Sequence, residues 1–223
     1  MKNKFKSLNY LIKSNPKQMS DIKKILKSLE VLRDMFEDRK YDFDMKVYSE
    51  EDLDAMYSIQ ENSSNGAIFE IPVSDTIRII FHMKSKYMKA DLERFLKGED
   101  ESSKIKHFIM VFKEKINSNN EKNIQNLISL YSDNTTPKVE TFEINNLLFN
   151  ITRHEYVPKH ELLSKDEAQQ VFDKYSIKNK SQLPVLHRTD PVAKYYDFRP
   201  GDLIKIYRSS TAVGECITYR YCV

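Results

Sequence analysis

The stretch that most limits how this chain can fold lies between Ser164 and Asp202. It carries four separate signals to begin or end an element, too closely spaced for a long helix or strand. Ser164 followed by Glu167 is a capping box, in which the hydroxyl takes a free amide of the first turn and the carboxylate reaches back. Ala168, Val171, Phe172 and Tyr175 then fall on one helical face. Leu183-Pro184 stops regular structure. Asp190-Pro191 starts it again, with an acid at the N-cap and a proline where its missing amide costs nothing. A short helix with Val192, Ala193, Tyr195 and Tyr196 follows, and Arg199-Pro200-Gly201-Asp202 is a turn. Leu203 to Tyr207 and Cys216 to Tyr221 read as strands, with Gly214 in the connection. These signals predict a small module of short helices and a small sheet.

Composition narrows the remaining choices. The chain has 223 residues, 40% of them hydrophobic, which supplies a core and suits one large domain or two small ones. With 36 basic against 33 acidic residues, the net charge of +3 does not by itself predict nucleic-acid binding. Glycine occurs only 4 times, and neither GxGxxG nor GxxxxGK[ST] is present. No apolar run approaches the roughly 20 residues of a membrane span, and no secretory signal is expected. Heavy use of Lys, Asn, Ile and Tyr suits an AT-rich genome, of a large DNA virus or of an AT-rich eukaryote. Cys216 and Cys222, on one strand, would stand about 20 Å apart, and a disulfide needs Cα atoms within about 7 Å. Two reduced cysteines and an intracellular protein are expected.

Upstream, Met1 to Lys13 fits a short amphipathic helix ended by Asn15-Pro16. Ser20-Asp21 opens a longer one, with Ile22, Ile25, Leu26, Leu29, Leu32 or Arg33, and Phe36 on a buried stripe until Arg39 to Asp42 breaks it. Ser49 with Asp52 caps a third, with Leu53, Met56 and Tyr57 inward. Asn62 to Gly66 reads as a loop. The period then changes. Ala67 to Ile71 and Ile77 to Met83 are predicted strands, the second with Ile77, Ile79, Phe81 and Met83 on one face and Arg78 and His82 on the other. Tyr87 to Leu96 reads as a helix and Gly98 to Ser103 as a loop. His107 to Phe112 and Leu127 to Tyr131 read as strands, Val139 to Leu147 holds a short helix, and Leu147 to Ile151 returns as a strand. Strands separated by a helix imply a partly parallel α/β layering, so the fold class is α/β, or α+β overall. Residues 1–152 and 153–223 are the two expected domains.

The sequence offers little for catalysis. None of His82, His107, His154, His160 and His187 forms HExxH, and no CxxC exists, so neither metal nor cofactor is expected. A Ser-His-Asp set stays open, because triads assemble in space, but no GxSxG elbow supports one. Tyr195, Tyr196, Tyr207, Tyr219 and Tyr221 could stack on bases. An interface suits them better, since tyrosine gives large contact area at low rotamer entropy.

LSKDE, KYSIKNKSQLP, DPVAKYY, RPGDLIKI and the ending ITYRYCV, in this order, resemble the assembly domain of the fifth-largest subunit of eukaryotic RNA polymerases. Archaea carry that domain alone, as a small polymerase subunit of its own. The resemblance covers the chain after His154. It continues more weakly through ETFEINNLLFNITRHEYVPKH, which looks like the junction between the domains, and LRDMFEDRKYDF, which looks like the end of the first helical region.

The resemblance implies a noncatalytic subunit that docks on the largest polymerase subunit and contacts other polymerase subunits. It implies no membrane and no homo-oligomer. Pro184, Asp190, Pro191, Tyr195, Gly201, Arg208, Gly214, Tyr219 and Arg220 are the expected partner-binding platform. Folding roles compete for most of them, and Arg208 and Arg220 are the better contact candidates, because a guanidinium bonds in bidentate fashion. The N-terminal domain is implied to be a jaw beside downstream duplex DNA, on a fold related to restriction endonucleases, with weak nonspecific contacts. Pro137 and Lys138 of Asn134-Thr135-Thr136-Pro137-Lys138 are the nearest match to its DNA-proximal segment, although the stretch that should follow looks deleted. The place of action would be the nucleus in a cell, or host cytoplasm and virion for a large DNA virus. The rival is a freestanding DNA-binding or metal-dependent nuclease protein, for which only the spacing of Asp44-Met45-Lys46 speaks.

Overall fold

The computed structural model describes residues 19–61, 68–84, 89–97, 105–130, 137–210 and 214–223. The expected helix over 1–13 and the loops over 62–66 and 98–103 lie outside these residues, as does the 134–136 segment. The chain forms two compact units. One comprises residues 1–36 and 41–149, the other residues 37–40 and 150–223.

In the first unit, helix α1 (Asp21–Asp38) buries Ile25, Leu29, Leu32 and Phe36 of the expected stripe and adds Met35, while Ile22 and Leu26 are half-buried. It ends where Lys40 takes a positive φ of 57°. Helix α2 (Glu50–Glu61) starts on the expected capping pair. The Asp52 amide donates to Ser49 Oγ at 3.0 Å, and the Ser49 amide to Asp52 Oδ2 at 3.1 Å. Strands β1 (Ile68–Pro72), β2 (Ile77–His82), β3 (His107–Phe112) and β4 (Lys138–Glu143) form one sheet in that order. β1 and β2 are antiparallel; β2–β3 and β3–β4 are parallel. Helices α3 (Lys89–Lys97) and α4 (Ser118–Leu130) make the two parallel crossovers. Leu92, Ile124, Leu127 and Ile128 pack with Ile80, Phe108, Met110 and Phe112 on one sheet face. Ile79, Phe81, Ile109 and Val111 are buried on the opposite face. Toward that side Lys113 reaches Asp21 at 2.5 Å, and Tyr41 sets its ring edgewise on His107.

Two sequence expectations fail here and a third holds only in part. Leu127 to Leu130 is the end of helix α4, not a strand. Asn117 accepts the Asn120 amide at 2.8 Å and starts a helix in a run too polar to announce one, and Ile124, Leu127 and Ile128 make its buried stripe. Val139 to Leu147 holds its short helix only at the end, as a 3-10 turn over Ile144–Leu147; the residues before it form strand β4. β4 lies at the sheet edge and carries charged residues, which masked its alternation. Leu147 to Ile151 is no strand; a 3-10 turn covers Ile151–Arg153. β2 also differs in detail. It is buried on both faces, His82 included at 1% exposure, because it is an interior strand of the sheet. Burial holds the His82 imidazole below its ordinary pKa, against the opposing pull of Asp91.

The second unit is built on a sheet of β5 (Lys159–Leu162), β7 (Leu203–Ser210), β8 (Gly214–Cys222) and β6 (Val185–Leu186), in that spatial order. Helix α5 (Lys165–Lys174) begins on the full Ser164–Glu167 capping box. Helix α6 (Pro191–Tyr196) begins on Asp190, whose Oδ1 accepts the Val192 amide at 2.9 Å. β5 and β6 were not expected; four and two residues are too short to show a period. Both cysteines are free and lie on β8, Cys216 exposed and Cys222 buried.

Candidate partner interface on the second unit

The register of the β7–β8 hairpin sorts its side chains into two faces. β7 pairs with β8 from Leu203↔Tyr221 to Ser210↔Gly214 without a bulge. On one face lie Ile204, Ile206 and Arg208 of β7, with Cys216, Thr218, Arg220 and Cys222 of β8. His160 and Leu162 of β5 extend that face through their pairing with Ile206 and Ile204. Ala193, Tyr196 and Phe198 cover Ile204, Ile206 and Cys222 with Leu186 as a small core. Toward the hairpin tip the same face opens, and Arg208 and Cys216 are exposed. The opposite face carries Tyr207, Ile217, Tyr219 and Tyr221. Tyr175, at the end of α5, sets its ring 5.9 Å from that of Tyr219, and Ile217 is left 46% exposed.

Arg208 and Arg220 therefore share a face, two rows apart. Arg208 is exposed, and Arg220 is half-buried with Nη1 donating to the Val185 carbonyl at 3.4 Å. His160 lies on the same face and uses Nδ1 on the Pro158 carbonyl at 2.7 Å. Burial lowers its pKa, and the charges of Arg208 and Arg220 push the same way, while the Pro158 contact and Asp190 oppose. The imidazole stays neutral near pH 7, and the face draws its positive charge from the two arginines.

The other platform residues hold the unit's shape. Asp190 and Pro191 start α6, and the Pro184 carbonyl accepts the Tyr221 amide at 2.9 Å. Gly201 sits at φ +106° in the turn before β7, and Gly214 at φ +77° at the start of β8. Both are backbone angles that disfavour a side chain. Tyr219 lies on the opposite sheet face from the arginines. Tyr195 is only 3% exposed. Its hydroxyl donates to Asp38 Oδ2 at 2.7 Å and accepts from Asn150 Nδ2 at 3.0 Å. Burial, reinforced by Asp38, pushes the phenol well above its ordinary pKa.

Sequence reading missed Asp38 and Arg39. Arg39 donates from Nε to the Tyr195 carbonyl and from Nη2 to the Lys194 carbonyl, both at 2.7 Å. A guanidinium on the carbonyls of a helix's last turn meets the negative end of its dipole. The only local signal in Asp38-Arg39 is a helix end, and nothing there points more than 150 residues ahead.

In the first unit, Pro137 is buried and Lys138 opens β4. The Lys138 ammonium lies 2.8 Å from Glu140 Oε1, which also meets His107 Nε2 at 2.7 Å. Asp44 and Lys46 are exposed and lie between α1 and α2, outside any strand. Among the described residues no group of three or more His, Cys, Asp or Glu gathers to hold a metal ion.

Comparison with known proteins agrees with this architecture. Residues 149–222 match the family model of the RNA polymerase Rpb5 C-terminal domain. The chain is 29% identical over 209 residues to the DNA-directed RNA polymerases I, II, and III subunit rpabc1 of Dictyostelium discoideum, covering 92% of this chain and 100% of that protein. It is 41% identical over 85 residues to the corresponding subunit RPABC1 of Caenorhabditis elegans, covering 38% of this chain and 40% of that one. It is also 47% identical over 74 residues to the DNA-directed RNA polymerase subunit Rpo5 of Sulfolobus acidocaldarius, covering 33% of this chain and 87% of that one. The chain belongs to the Rpb5 family of RNA polymerase subunits.

Proposed function

We propose that this chain is a noncatalytic structural subunit of a multisubunit DNA-directed RNA polymerase. Its C-terminal domain, residues 153–223, docks on the largest subunit. Its N-terminal domain, residues 1–152, forms part of the jaw around downstream DNA, and in a cellular host it acts in the nucleus. The observation that carries the docking role is the open end of the β7–β8 face. There Arg208 is exposed, on the same face as the half-buried Arg220 and the well-packed core, within the segment that matches the family's C-terminal domain. A rigid platform with projecting guanidinium groups suits a permanent interface, where arginine is enriched and preorganisation limits the entropy lost on binding. The jaw role is what the resemblance implies for the N-terminal domain, and Pro137 and Lys138 are its candidate DNA-proximal residues.

The test is affinity purification of the full chain, wild type and Arg208→Glu, from cells expressing the polymerase. Wild type should bring down the two largest polymerase subunits in stoichiometric amounts. Arg208→Glu should recover at least about tenfold less, the cost of reversing one interfacial charge, with an unchanged melting temperature of the isolated chain. A wild-type chain that comes down alone overturns the proposal. A variant that unfolds removes Arg208 from the interface.

A further inference from the structure

The β8 strand has a partner along its whole length on one side only. β7 pairs with every residue from Gly214 to Tyr221, whereas β6 pairs with only Tyr221 and Cys222. The hydrogen bonds fix which groups face which way. The Tyr221 and Val223 amides donate toward β6, to the Pro184 and Leu186 carbonyls. Cys222 exchanges with the β7 side, donating to the Asp202 carbonyl and accepting from the Gly201 amide. Alternation then sends the amides and carbonyls of Glu215, Ile217 and Tyr219 away from β7. Among the described residues none of these six groups meets another strand. The single contact they make there is a weak one, Cys216 Sγ to the Ile217 carbonyl at 3.9 Å. Glu215 and Ile217 are exposed, so the edge is open to solvent.

Natural sheets protect such edges with proline, inward or outward lysine, bulges or very short strands. GECITYRYC has neither proline nor lysine, its register is unbroken, and it is nine residues long. An edge left in this state is a template for another strand.

We propose that this edge, Glu215 to Tyr219, receives an extended segment of a polymerase partner chain by strand addition, continuing the line of β6. The inference rests on the docking role proposed above and adds its mode and the chemistry of the segment. About five residues, roughly 17 Å of strand, fill the gap. Side chains of the added strand alternate between the two sheet faces. Those on the face of Arg208 and Arg220 meet positive charge, so the segment carries Asp or Glu there. Those on the other face lie beside Ile217 and Tyr219, so the segment is apolar there. Main-chain bonds hold the strand and the alternation selects it, the division of labour of strand addition generally.

Hydrogen exchange distinguishes this arrangement at single-residue level. In the isolated full chain the amides of Glu215, Ile217 and Tyr219 should exchange fast, and those of Cys216, Thr218 and Arg220 slowly. In polymerase purified through this chain, the first three should slow by at least about tenfold. Ile217→Pro deletes one outward amide and none that faces β7. It should lower recovery of the large subunits by about tenfold or more while the slow exchange of Thr218 and Arg220 persists. Should that variant unfold, the wild-type exchange pattern still decides the question. If polymerase co-purifies and the three outward amides stay fast, docking stands and strand addition falls. If no polymerase co-purifies, both fall. Protection that arises in the isolated chain and grows with its concentration assigns the edge to a second copy and overturns the partner segment.

Discussion

Tyr195→Phe separates a residue that pins the fold from one that touches a partner. The substitution keeps the ring, its edgewise contact with Tyr196 at 5.1 Å and its buried volume, so it opens no cavity. It removes the donor to Asp38 at 2.7 Å and the acceptor for Asn150 at 3.0 Å. A neutral hydrogen bond contributes about 0.5–1.5 kcal/mol net, and one to a charged group about 1.5–3 kcal/mol. Asp38 is exposed and can return to water, so the loss falls below the summed range, at about 1–2 kcal/mol. With a urea m-value near 2 kcal/mol/M, the unfolding midpoint should fall by about 0.5–1 M. Far-ultraviolet circular dichroism of the full chain in urea measures it. Asp38→Asn and the double variant complete a cycle whose coupling should be about 1 kcal/mol. A midpoint that stays within about 0.2 M of wild type while polymerase recovery collapses would refute the reasoning. Tyr195 would then be a contact residue.

Three further outcomes are expected. Gly201→Ala should lose about 1–3 kcal/mol through its φ of +106°, not through crowding, since a Cβ would meet only Tyr221 Oη at an ordinary 3.8 Å; replacement by D-alanine through chemical synthesis should restore the stability. Stability should fall as pH drops below the ordinary histidine value of 6.5. His82 and His160 titrate lower when folded, so the unfolded chain binds the extra protons and each costs up to about 1.4 kcal/mol per pH unit until its folded value is passed. Urea titrations between pH 7 and pH 5 should show this slope, and His82→Gln should flatten it. Lys138→Ala should change the salt dependence of polymerase–DNA affinity by less than the slope of about 0.9 for one phosphate contact, because Glu140 already neutralises the ammonium at 2.8 Å; a full unit would make Lys138 a direct phosphate contact.

Local chemistry made the second unit legible. Capping boxes and N-cap-proline pairs act within four residues, so Ser164–Glu167 and Asp190-Pro191 announce their helices without tertiary help. The turn before Leu203 and the two long strands were readable for the same reason. The first unit was harder to read where tertiary context decides. Leu127-Ile128 is a short apolar pair that suits a strand or a helix equally, and only the stripe begun at Ile124 settles it. Lys-Val-Glu-Thr-Phe-Glu becomes a strand because β3 offers a parallel edge, which no local propensity announces. Within the candidate interface the guanidinium groups were singled out by chemistry, and their shared face followed once the strands were placed. The role of Tyr195 was not identifiable, because its partners Asp38 and Asn150 come from distant sequence.

The inclusion of residues 37–40 in the second unit bears on how that unit can be cut out of the chain. A fragment begun at residue 150, close in span to the archaeal relative, would leave the tail of its shortest α-helix without the guanidinium that seats it. Supplying a peptide that spans Glu37 to Lys40 in trans should restore part of what excision removes. The piece that matches the archaeal subunit is here a two-part assembly, with its splint encoded more than a hundred residues ahead of the body it braces.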